Sequence, residues 1–312
     1  MIMQKTWQRY ALAGGATGLL LLGLVLWWIF SSTASEPKTT IEQTATSTPQ
    51  IVEEPEPTPS FPQVLGQSVE GRDIQHYRFG EGDTHVILVG GIHGGYEWNS
   101  IILAYEMIDH IKAHPDFVPD TLTVDIIPDL NPDGTYAATG LTGRFTTADI
   151  TDYSMHQTGT GRFNANSVDL NRNFGCDWAP ESTWRGQTVH TGTGPFSEPE
   201  AQILRDLVFE TEPIAAAFWH SQANAVFASE CEDGPLPLTL DIMNAYANAA
   251  SYQAIPVFDA YPINGDVEGW LASLGIAAIT VELEGRLTPE WERNRAGTQA
   301  MLEIIDQKFA DL

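Results

Sequence analysis

Three side chains that could bind a metal ion follow two apolar segments of the chain. The run 85–91 leads into His93 and Glu97, and the run 214–219 leads into His220. The glycines between His93 and Glu97 allow a sharp turn, after which both side chains can face one point. Two histidines and one glutamate form a ligand set of catalytic zinc sites, whose fourth position stays open to water. These residues are therefore candidates for a zinc site, although a single buried histidine is usually structural.

Two arginines occur in the Asn-rich segment 162–174, RFNANSVDLNRNF. Basic residues are scarce in this chain, which has 15 Lys and Arg against 41 Asp and Glu. Arg162 and Arg172, held by neighbouring amides, could bind an anionic substrate group through paired hydrogen bonds. The alternative is that Asp169 and Arg172 pair with each other and simply hold a loop in place.

Glu282 is an acid within the apolar run 277–283, AAITVEL. An acid in a buried strand is either ion-paired for structural reasons or a general base whose pKa is raised by burial. The sequence pattern leaves both interpretations of Glu282 open.

Two other groups of polar residues are weaker candidates for chemistry. His110 and His114 are one helical turn apart, but the segment lacks the glutamate of an HExxH metal-binding helix. Ser221 follows a histidine, but no G-x-S-x-G turn that would present a nucleophilic serine is found. We therefore expect neither a second metal site at the two histidines nor a serine-type hydrolase.

The elements that must position the candidate residues alternate between strands and helices. Short apolar runs predict buried strands at 85–91, 122–127, 214–219 and 277–283, after an opening hairpin at 67–79. Helical spacing predicts helices at 98–111, 197–208, 241–252 and 289–309. This alternation predicts an α/β fold with a mixed, mostly parallel sheet and helices on both faces. Ligands of such sheets bind beyond the carboxyl ends of the strands, where the candidate residues lie.

Composition excludes several classes of protein. The formal net charge of −26 repels a phosphate backbone, so nucleic acid is not expected as a partner. The same charge argues against docking on anionic lipid. Two cysteines exclude a disulfide-stapled miniprotein and a four-cysteine zinc module. The 61–312 segment is long enough for one α/β domain with a sizeable core.

The N-terminal segment 11–30 is an uncharged apolar run long enough to span a bilayer as a helix. Lys5 and Arg9 precede it, which predicts that residues 1–10 stay cytoplasmic and that the chain after the span lies outside the cell. We expect an uncleaved signal-anchor. The alternative is a signal peptide cleaved near Ala34, which would release a secreted protein.

Residues 31–60 are rich in Ser, Thr, Pro and Glu and contain no aromatic residue. Such a segment cannot bury enough apolar surface to offset the entropy of ordering it. We expect a disordered linker that holds the 61–312 domain away from the membrane.

Five motifs occur in the order and approximate spacing found in zinc carboxypeptidases: HGGYE, NPDG, RFNANSVDLNRNF, WHS and TVEL. The resemblance covers roughly residues 65–310 and is closest to the bacterial branch that includes murein-peptide amidases. It implies the fold of that family, one zinc ion and hydrolysis of a peptide bond next to a free carboxylate.

The resemblance implies that His93, Glu97 and His220 bind the zinc ion. One departure affects this set, because the family usually spaces its first histidine and glutamate as HxxE, whereas this chain has HxxxE with Tyr96 in the expected place. If the extra residue bulges within the glycine turn, Glu97 still reaches the metal. The alternative is a degenerate site without catalysis.

The resemblance also assigns roles to the residues around the metal. Arg172 and Asn171 would hold the terminal carboxylate of the substrate, and Arg162 would stabilise the oxyanion. Glu282 would activate the zinc-bound water and then protonate the leaving amine. Tyr261 matches a substrate-contacting tyrosine in a mobile loop, with an ordinary loop aromatic as the alternative.

Three further residues take their interpretation from the resemblance. Glu268 falls near the specificity-pocket position, where an acid would favour a cationic side chain, unless it is a solvated glutamate at a helix start. Cys176 and Cys231 would both lie near the site. We expect a disulfide between them, since an extracellular location permits oxidation, with two free thiols as the alternative.

The sequence thus predicts an extracellular zinc metallocarboxypeptidase acting on a peptide or a cell-wall peptide. Alternatives are a murein-peptide amidase that cleaves γ-D-Glu–diaminopimelate bonds, a non-catalytic peptide-binding pseudoenzyme, and a deacylase of the related fold. The full DLNRNF segment argues against the deacylase. The oligomeric state is not predicted.

Overall fold

The computed structural model describes residues 61–259 and 262–309. The predicted segments 1–10, 11–30 and 31–60 and the candidate Tyr261 lie outside the described residues. Within the described part of the chain, no helix combines the length and the apolar character needed to cross a bilayer.

An eight-stranded sheet forms the centre of the described structure. Its strands in chain order are β1 (Gln63–Gln67), β2 (Asp73–Phe79), β3 (Thr84–Val89), β4 (Leu122–Ile127), β7 (Ala215–Ser221), β8 (Ala225–Ala228), β9 (Gln253–Ile255) and β10 (Ala277–Leu283). A separate antiparallel hairpin consists of β5 (Glu181–Trp184) and β6 (Gln187–His190). The order across the sheet is β1-β2-β4-β3-β7-β10-β8-β9.

The four central strands β4, β3, β7 and β10 are parallel to one another. Antiparallel pairs add β2 beside β4 and β8 beside β10, so the sheet is mixed. All six residues of β4 and all seven of β7 are buried. Continuous burial of this kind reflects a sheet covered on both faces, which explains why these strands are apolar runs rather than alternating patterns.

Seven α-helices accompany the strands in the described residues. They are α1 (Trp98–Ala113), α2 (Pro132–Thr139), α3 (Met155–Thr158), α4 (Pro199–Thr211), α5 (Pro237–Ala250), α6 (Val267–Ser273) and α7 (Trp291–Phe309). One apolar core contains side chains of α1, α5 and α7, and a second contains those of α4 and α6 on the other face of the sheet. The predicted fold class is therefore confirmed for the described residues.

The sheet brings the candidate residues together at the carboxyl ends of its central strands. His93 follows β3, His220 lies near the end of β7, and Glu282 lies near the end of β10. Strands β7 and β10 pair in a register that places Glu282 opposite His220. This common edge is the place where the sequence predicted ligand binding.

Candidate active site

The three predicted metal ligands converge on one point. The Nδ1 atoms of His93 and His220 are 3.2 Å apart. Glu97 places Oε1 3.2 Å from Nδ1 of His93, and its Oε2 is 3.2 Å from Nδ1 of His220. Among the described residues, this is the only group of three or more potential ligands whose atoms converge.

A short turn accommodates the extra residue of the HxxxE spacing. Gly94–Glu97 form one turn of 3-10 helix, which Gly94 enters with φ +47°. A Cβ on Gly94 would lie 2.7 Å from the carbonyl oxygen of Gly161, so a larger residue would not fit there. Tyr96 packs its buried ring edge-on against Trp184, at 5.4 Å between ring centroids. The turn thereby directs Glu97 at both histidines.

The dimensions of the triplet fit a tetrahedral zinc ion. Ligand atoms at about 2.1 Å from zinc in tetrahedral geometry lie about 3.4 Å from one another. The two Nδ1 atoms are 3.2 Å apart, and each lies 3.2 Å from one oxygen of the Glu97 carboxylate, Oε1 for His93 and Oε2 for His220. Burial of Glu97 opposes its ionisation, but His93 and His220 outweigh this effect and hold the pKa of its carboxyl well below the usual range. A carboxylate ligand must be ionised to bind a metal, so this environment favours binding.

Each histidine has a buried carboxylate beside its other ring nitrogen. Asp169 lies 3.3 Å from Nε2 of His93, and Glu268 lies 3.4 Å from Nε2 of His220. Carboxylates in such positions orient metal-binding imidazoles and increase their basicity. The sequence predicted neither contact, and the interpretation of Glu268 as a solvated residue is wrong because it is 2% exposed.

Arg162 lies beside the metal-binding triplet and is held by Asp169. Its Nε and Nη2 donate to Oδ2 of Asp169 at 3.1 and 2.8 Å, and its Nη1 lies 3.2 Å from Nδ1 of His93. The guanidinium also lies over the ring of Trp184, 4.8 Å from its centroid. Asp169 thus pairs with Arg162 and contacts His93, which corrects the alternative in which it pairs with Arg172.

Arg172 occupies a different part of the wall of the same cavity. Its Nε donates to Oγ of Ser182 at 3.2 Å, and its Nη1 donates to the carbonyl oxygen of Asn171 at 2.5 Å. The side-chain oxygen of Asn171 accepts from the backbone N–H of Val267, which fixes the start of α6. Ser182 was not predicted, because nothing in the sequence indicates that the β5–β6 hairpin reaches this wall.

Glu282 faces the metal-binding triplet without a hydrogen-bond partner on its buried oxygen. Its Oε2 is buried and has none among the described residues. Burial and the neighbouring charge of Glu97 raise the pKa of Glu282 to about 7. A divalent cation in the triplet would lower this pKa by stabilising the carboxylate.

A cavity of about 500 Å³ connects these groups. Its lining includes the triplet, Glu282, Arg162, Asn171 and Arg172, and also the acids Asp266 and Glu268. Burial and the charge of Glu268 raise the pKa of Asp266 to about 6. The structure thus brings every predicted site residue to one cavity except Tyr261, which lies outside the described residues.

A disulfide closes one side of this cavity. Cys176 and Cys231 are bonded, with their Cα atoms 6.2 Å apart, and both line the cavity. The bond joins Cys176, two residues after the Asn-rich segment, to the loop after β8. The predicted disulfide is confirmed.

A buried His₂Glu triplet, a separate carboxylate and two arginines in one cavity define the site of a metal-dependent hydrolase. The sequence matches the zinc carboxypeptidase family over residues 41–299. The match covers more than half of the chain, so the chain belongs to the zinc carboxypeptidase family. The predicted family and its zinc cofactor are thereby confirmed.

Two curated relatives are similar to parts of this chain. Murein peptide amidase A of Escherichia coli K12 is 30% identical over 136 residues, which are 39% of this chain and 50% of that protein. Carboxypeptidase B of Helicoverpa zea is 27% identical over 257 residues, which are 72% of this chain and 58% of that protein. The chain therefore spans about half the length of the curated relatives it matches.

Solved structures share the fold at lower identity. The murein-tripeptide amidase of Escherichia coli O157 superposes with a TM-score of 0.56 at 22% identity, covering 79% of this chain and 92% of that one. Bovine thrombin-activatable fibrinolysis inhibitor, in complex with tick carboxypeptidase inhibitor, gives a TM-score of 0.59 at 19% identity, covering 78% and 87%. These likenesses establish the carboxypeptidase-like fold.

Proposed function

We propose that this chain is a zinc metallocarboxypeptidase that hydrolyses an amide bond next to a free carboxylate. One observation carries the proposal: the unpartnered carboxylate of Glu282 shares a cavity with the metal-binding triplet and with Arg172. A base, a metal site and a carboxylate receptor within one cavity are the parts that this reaction requires.

Arg172 and Asn171 would bind the terminal carboxylate of the substrate. Ser182 and the carbonyl of Asn171 already fix the guanidinium of Arg172, so its remaining donors are pre-oriented in the cavity. A charge-assisted contact of this kind selects peptides with a free C-terminus over amidated ones.

The chemical step would divide between Glu282 and Arg162. Zinc, when bound, supplies polarisation of the scissile carbonyl and acidification of a water molecule. Glu282 accepts a proton from the attacking water and then donates it to the leaving amine. Arg162, held in place by Asp169, stabilises the negative charge that develops on the carbonyl oxygen.

A murein-peptide amidase is the second candidate. The similarity to the Escherichia coli murein peptide amidase, at 30% identity over 136 residues, favours it. The expected anchor at 11–30 and linker at 31–60 would place the catalytic domain outside the cell, where wall peptides occur. In this version the leaving residue is diaminopimelate and the acyl residue is a γ-linked D-glutamate.

Cleavage by the full chain in detergent tests the proposal, using three peptides analysed by mass spectrometry. One peptide is linear with a free C-terminus, the second is its C-terminal amide, and the third is a wall stem with the γ-D-Glu–diaminopimelate bond. Each is incubated with and without a zinc chelator. We expect chelator-sensitive loss of one residue from the free peptide and none from the amide.

The remaining outcomes separate the alternatives. Cleavage confined to the γ-linked bond would identify a murein-peptide amidase. Bound zinc without cleavage of any peptide would contradict both versions and indicate another acyl substrate, as for a deacylase. Absence of both zinc and cleavage would indicate a pseudoenzyme.

A further inference from the structure

A third arginine lines the active-site cavity and has no role in the reaction described above. Arg286 follows β10, four residues after Glu282, and lies at the cavity wall. Its Nη2 donates to the carbonyl oxygen of Ser221 at 3.1 Å, and its guanidinium lies over the ring of Tyr96, 4.1 Å from the centroid. These contacts fix the plane of the guanidinium, and of its nitrogens only Nη2 donates a hydrogen bond within the described residues.

The charge of Arg286 is less well compensated than that of Arg162. Asp169 binds Arg162 at 2.8 Å, whereas the hydrogen bond of Arg286 goes to a neutral carbonyl. The Nε of Arg286 is buried and has no hydrogen-bond partner among the described residues. A charged group with an unpaired buried donor is costly, and an anion bound at its Nη atoms would compensate its charge.

Arg286 and Arg172 belong to different parts of the cavity wall. Arg172 contacts Asn171 and Ser182, whereas Arg286 contacts Ser221 and Tyr96, the neighbours in sequence of the metal-binding His220 and Glu97. If Arg172 holds the terminal carboxylate, the substrate ends there. An anion at Arg286 therefore belongs to the other side of the scissile bond, the acyl side.

We propose that Arg286 binds a carboxylate on the acyl-side residue of the substrate, which makes it a specificity-determining residue for γ-linked glutamyl peptides. An ordinary peptide presents only neutral backbone amides next to the attacked carbonyl. A γ-linked glutamate leaves its α-carboxylate free, and this group matches the guanidinium. The inference rests on the proposed function, because the orientation of the substrate follows from the role of Arg172.

A competing explanation is that Arg286 acts only on Glu282. The charge of Arg286 lowers the pKa of Glu282, although burial and Glu97 raise it more strongly. Binding measured in the Glu282→Gln variant removes this effect, because the glutamine has no charge for Arg286 to influence. Any remaining effect of the Arg286 charge on the measured Kd then reflects its interaction with the ligand.

The test compares two ligands that differ in one group. Both are N-acetyl-L-alanyl-γ-D-glutamyl-diaminopimelate, one with the free glutamyl α-carboxylate and the other with an α-carboxamide. Calorimetry gives their Kd values for the zinc-loaded full chain carrying E282Q, and for E282Q combined with R286Q, R286K or R205Q. Arg205 is an arginine of α4 that pairs with Asp206, so R205Q is the matched control.

We expect the E282Q chain to bind the carboxylate ligand at least about tenfold more tightly than the carboxamide, as charge-assisted hydrogen bonds do. R286Q should abolish the difference, R286K should retain part of it and R205Q should leave it intact. Equal affinities in the E282Q chain, no binding of either ligand, or a preference that survives R286Q would each overturn the inference. So would an equal loss for both ligands in R286Q, which would indicate a purely structural residue.

Failure of the proposed function has a separate signature. The chain without E282Q would then cleave neither ligand, while the Kd comparison would still report on Arg286. Conversely, cleavage of both ligands at equal rates, with equal Kd values, would retain the hydrolase and reject the acyl-side carboxylate site.

Discussion

The carboxylate of Glu268 lies 3.4 Å from Nε2 of His220, while Nδ1 of the same ring faces Glu97 at 3.2 Å. Thr280 fixes the acid by donating its hydroxyl to Oε1 at 2.9 Å. A proton on Nε2 is favoured by this arrangement, which leaves Nδ1 free to bind a metal. Glu268 is therefore a positioning residue for His220, and its carboxylate is already engaged before any cationic substrate side chain arrives.

Replacing Glu268 with glutamine should weaken zinc binding by about 10–100-fold. The amide can still lie beside Nε2, but it no longer carries the charge that increases the basicity of the ring. Competition with a chromogenic chelator measures the zinc affinity directly. Glu200→Gln serves as the control, because Glu200 is a fully buried acid whose hydrogen bonds to Asn164 and Val69 lie outside the triplet. Equal zinc affinities for E268Q and wild type would contradict the positioning role.

Replacing Glu282 with glutamine should lower kcat/KM by about 10²–10⁴-fold while zinc content stays at one per chain. The reason is that glutamine cannot accept the proton of the attacking water. Glu284→Gln is the matched control, because Glu284 is exposed two residues further on and pairs with Arg293. Retained activity in E282Q, or loss of zinc together with activity, would show that Glu282 is not the base.

The sequence predicted the sheet and the position of its ligands because both follow from local patterns. Apolar runs such as 122–127 identify buried strands, and the histidines stand directly at the ends of such runs. Neighbouring parallel strands bring their carboxyl ends together whatever the intervening sequence is. The apolar runs and strand ends do not by themselves determine the position of Glu97. The turn at 94–97 also requires Gly94 to lie close to Gly161 and Tyr96 to pack against Trp184.

Contacts between residues distant in sequence account for what the sequence did not predict. Glu268 resembles a solvated residue at a helix start, and only its contacts with His220 and Thr280 reveal that it is buried. Asp169 lies seven residues after Arg162 and three residues before Arg172, and in the fold it pairs with Arg162, the more distant of the two in sequence. The short strands β8 and β9 have too few residues to form a pattern, and they are stabilised by pairing with β10 and with each other.

The disulfide should contribute about 4 kcal/mol to the free energy of unfolding, as expected when a loop closed by residues 55 positions apart is constrained in the unfolded chain. Urea unfolding of the full chain, compared with the Cys176→Ser/Cys231→Ser double variant, measures this. The unfolded and unreduced wild type should contain no titratable thiol, and reduction should release two. Two thiols before reduction would contradict the bond.

Asp129 should make the folded protein less stable as the pH rises, whereas an ion-paired acid has the opposite effect. It is buried at the edge of a second cavity, where its Oδ1 accepts from the backbone N–H of Asn131 at 3.2 Å. Burial raises the pKa of its carboxyl from 3.8 to about 7. The folded chain therefore holds the proton more tightly than the unfolded chain, so the free energy of unfolding falls as the pH rises from about 4 to about 7.

Asp129→Asn removes the titrating group and preserves its shape, which isolates this effect. The difference in unfolding free energy, D129N minus wild type, should increase between pH 5 and pH 7 and level off above about 7, because the carboxyl is ionised in both states there. Urea unfolding at constant zinc occupancy across pH 5–8 gives the difference at each pH. A difference that is constant across this range would show that Asp129 ionises in the folded chain at its ordinary pKa, and that its burial is compensated by contacts other than the one with Asn131.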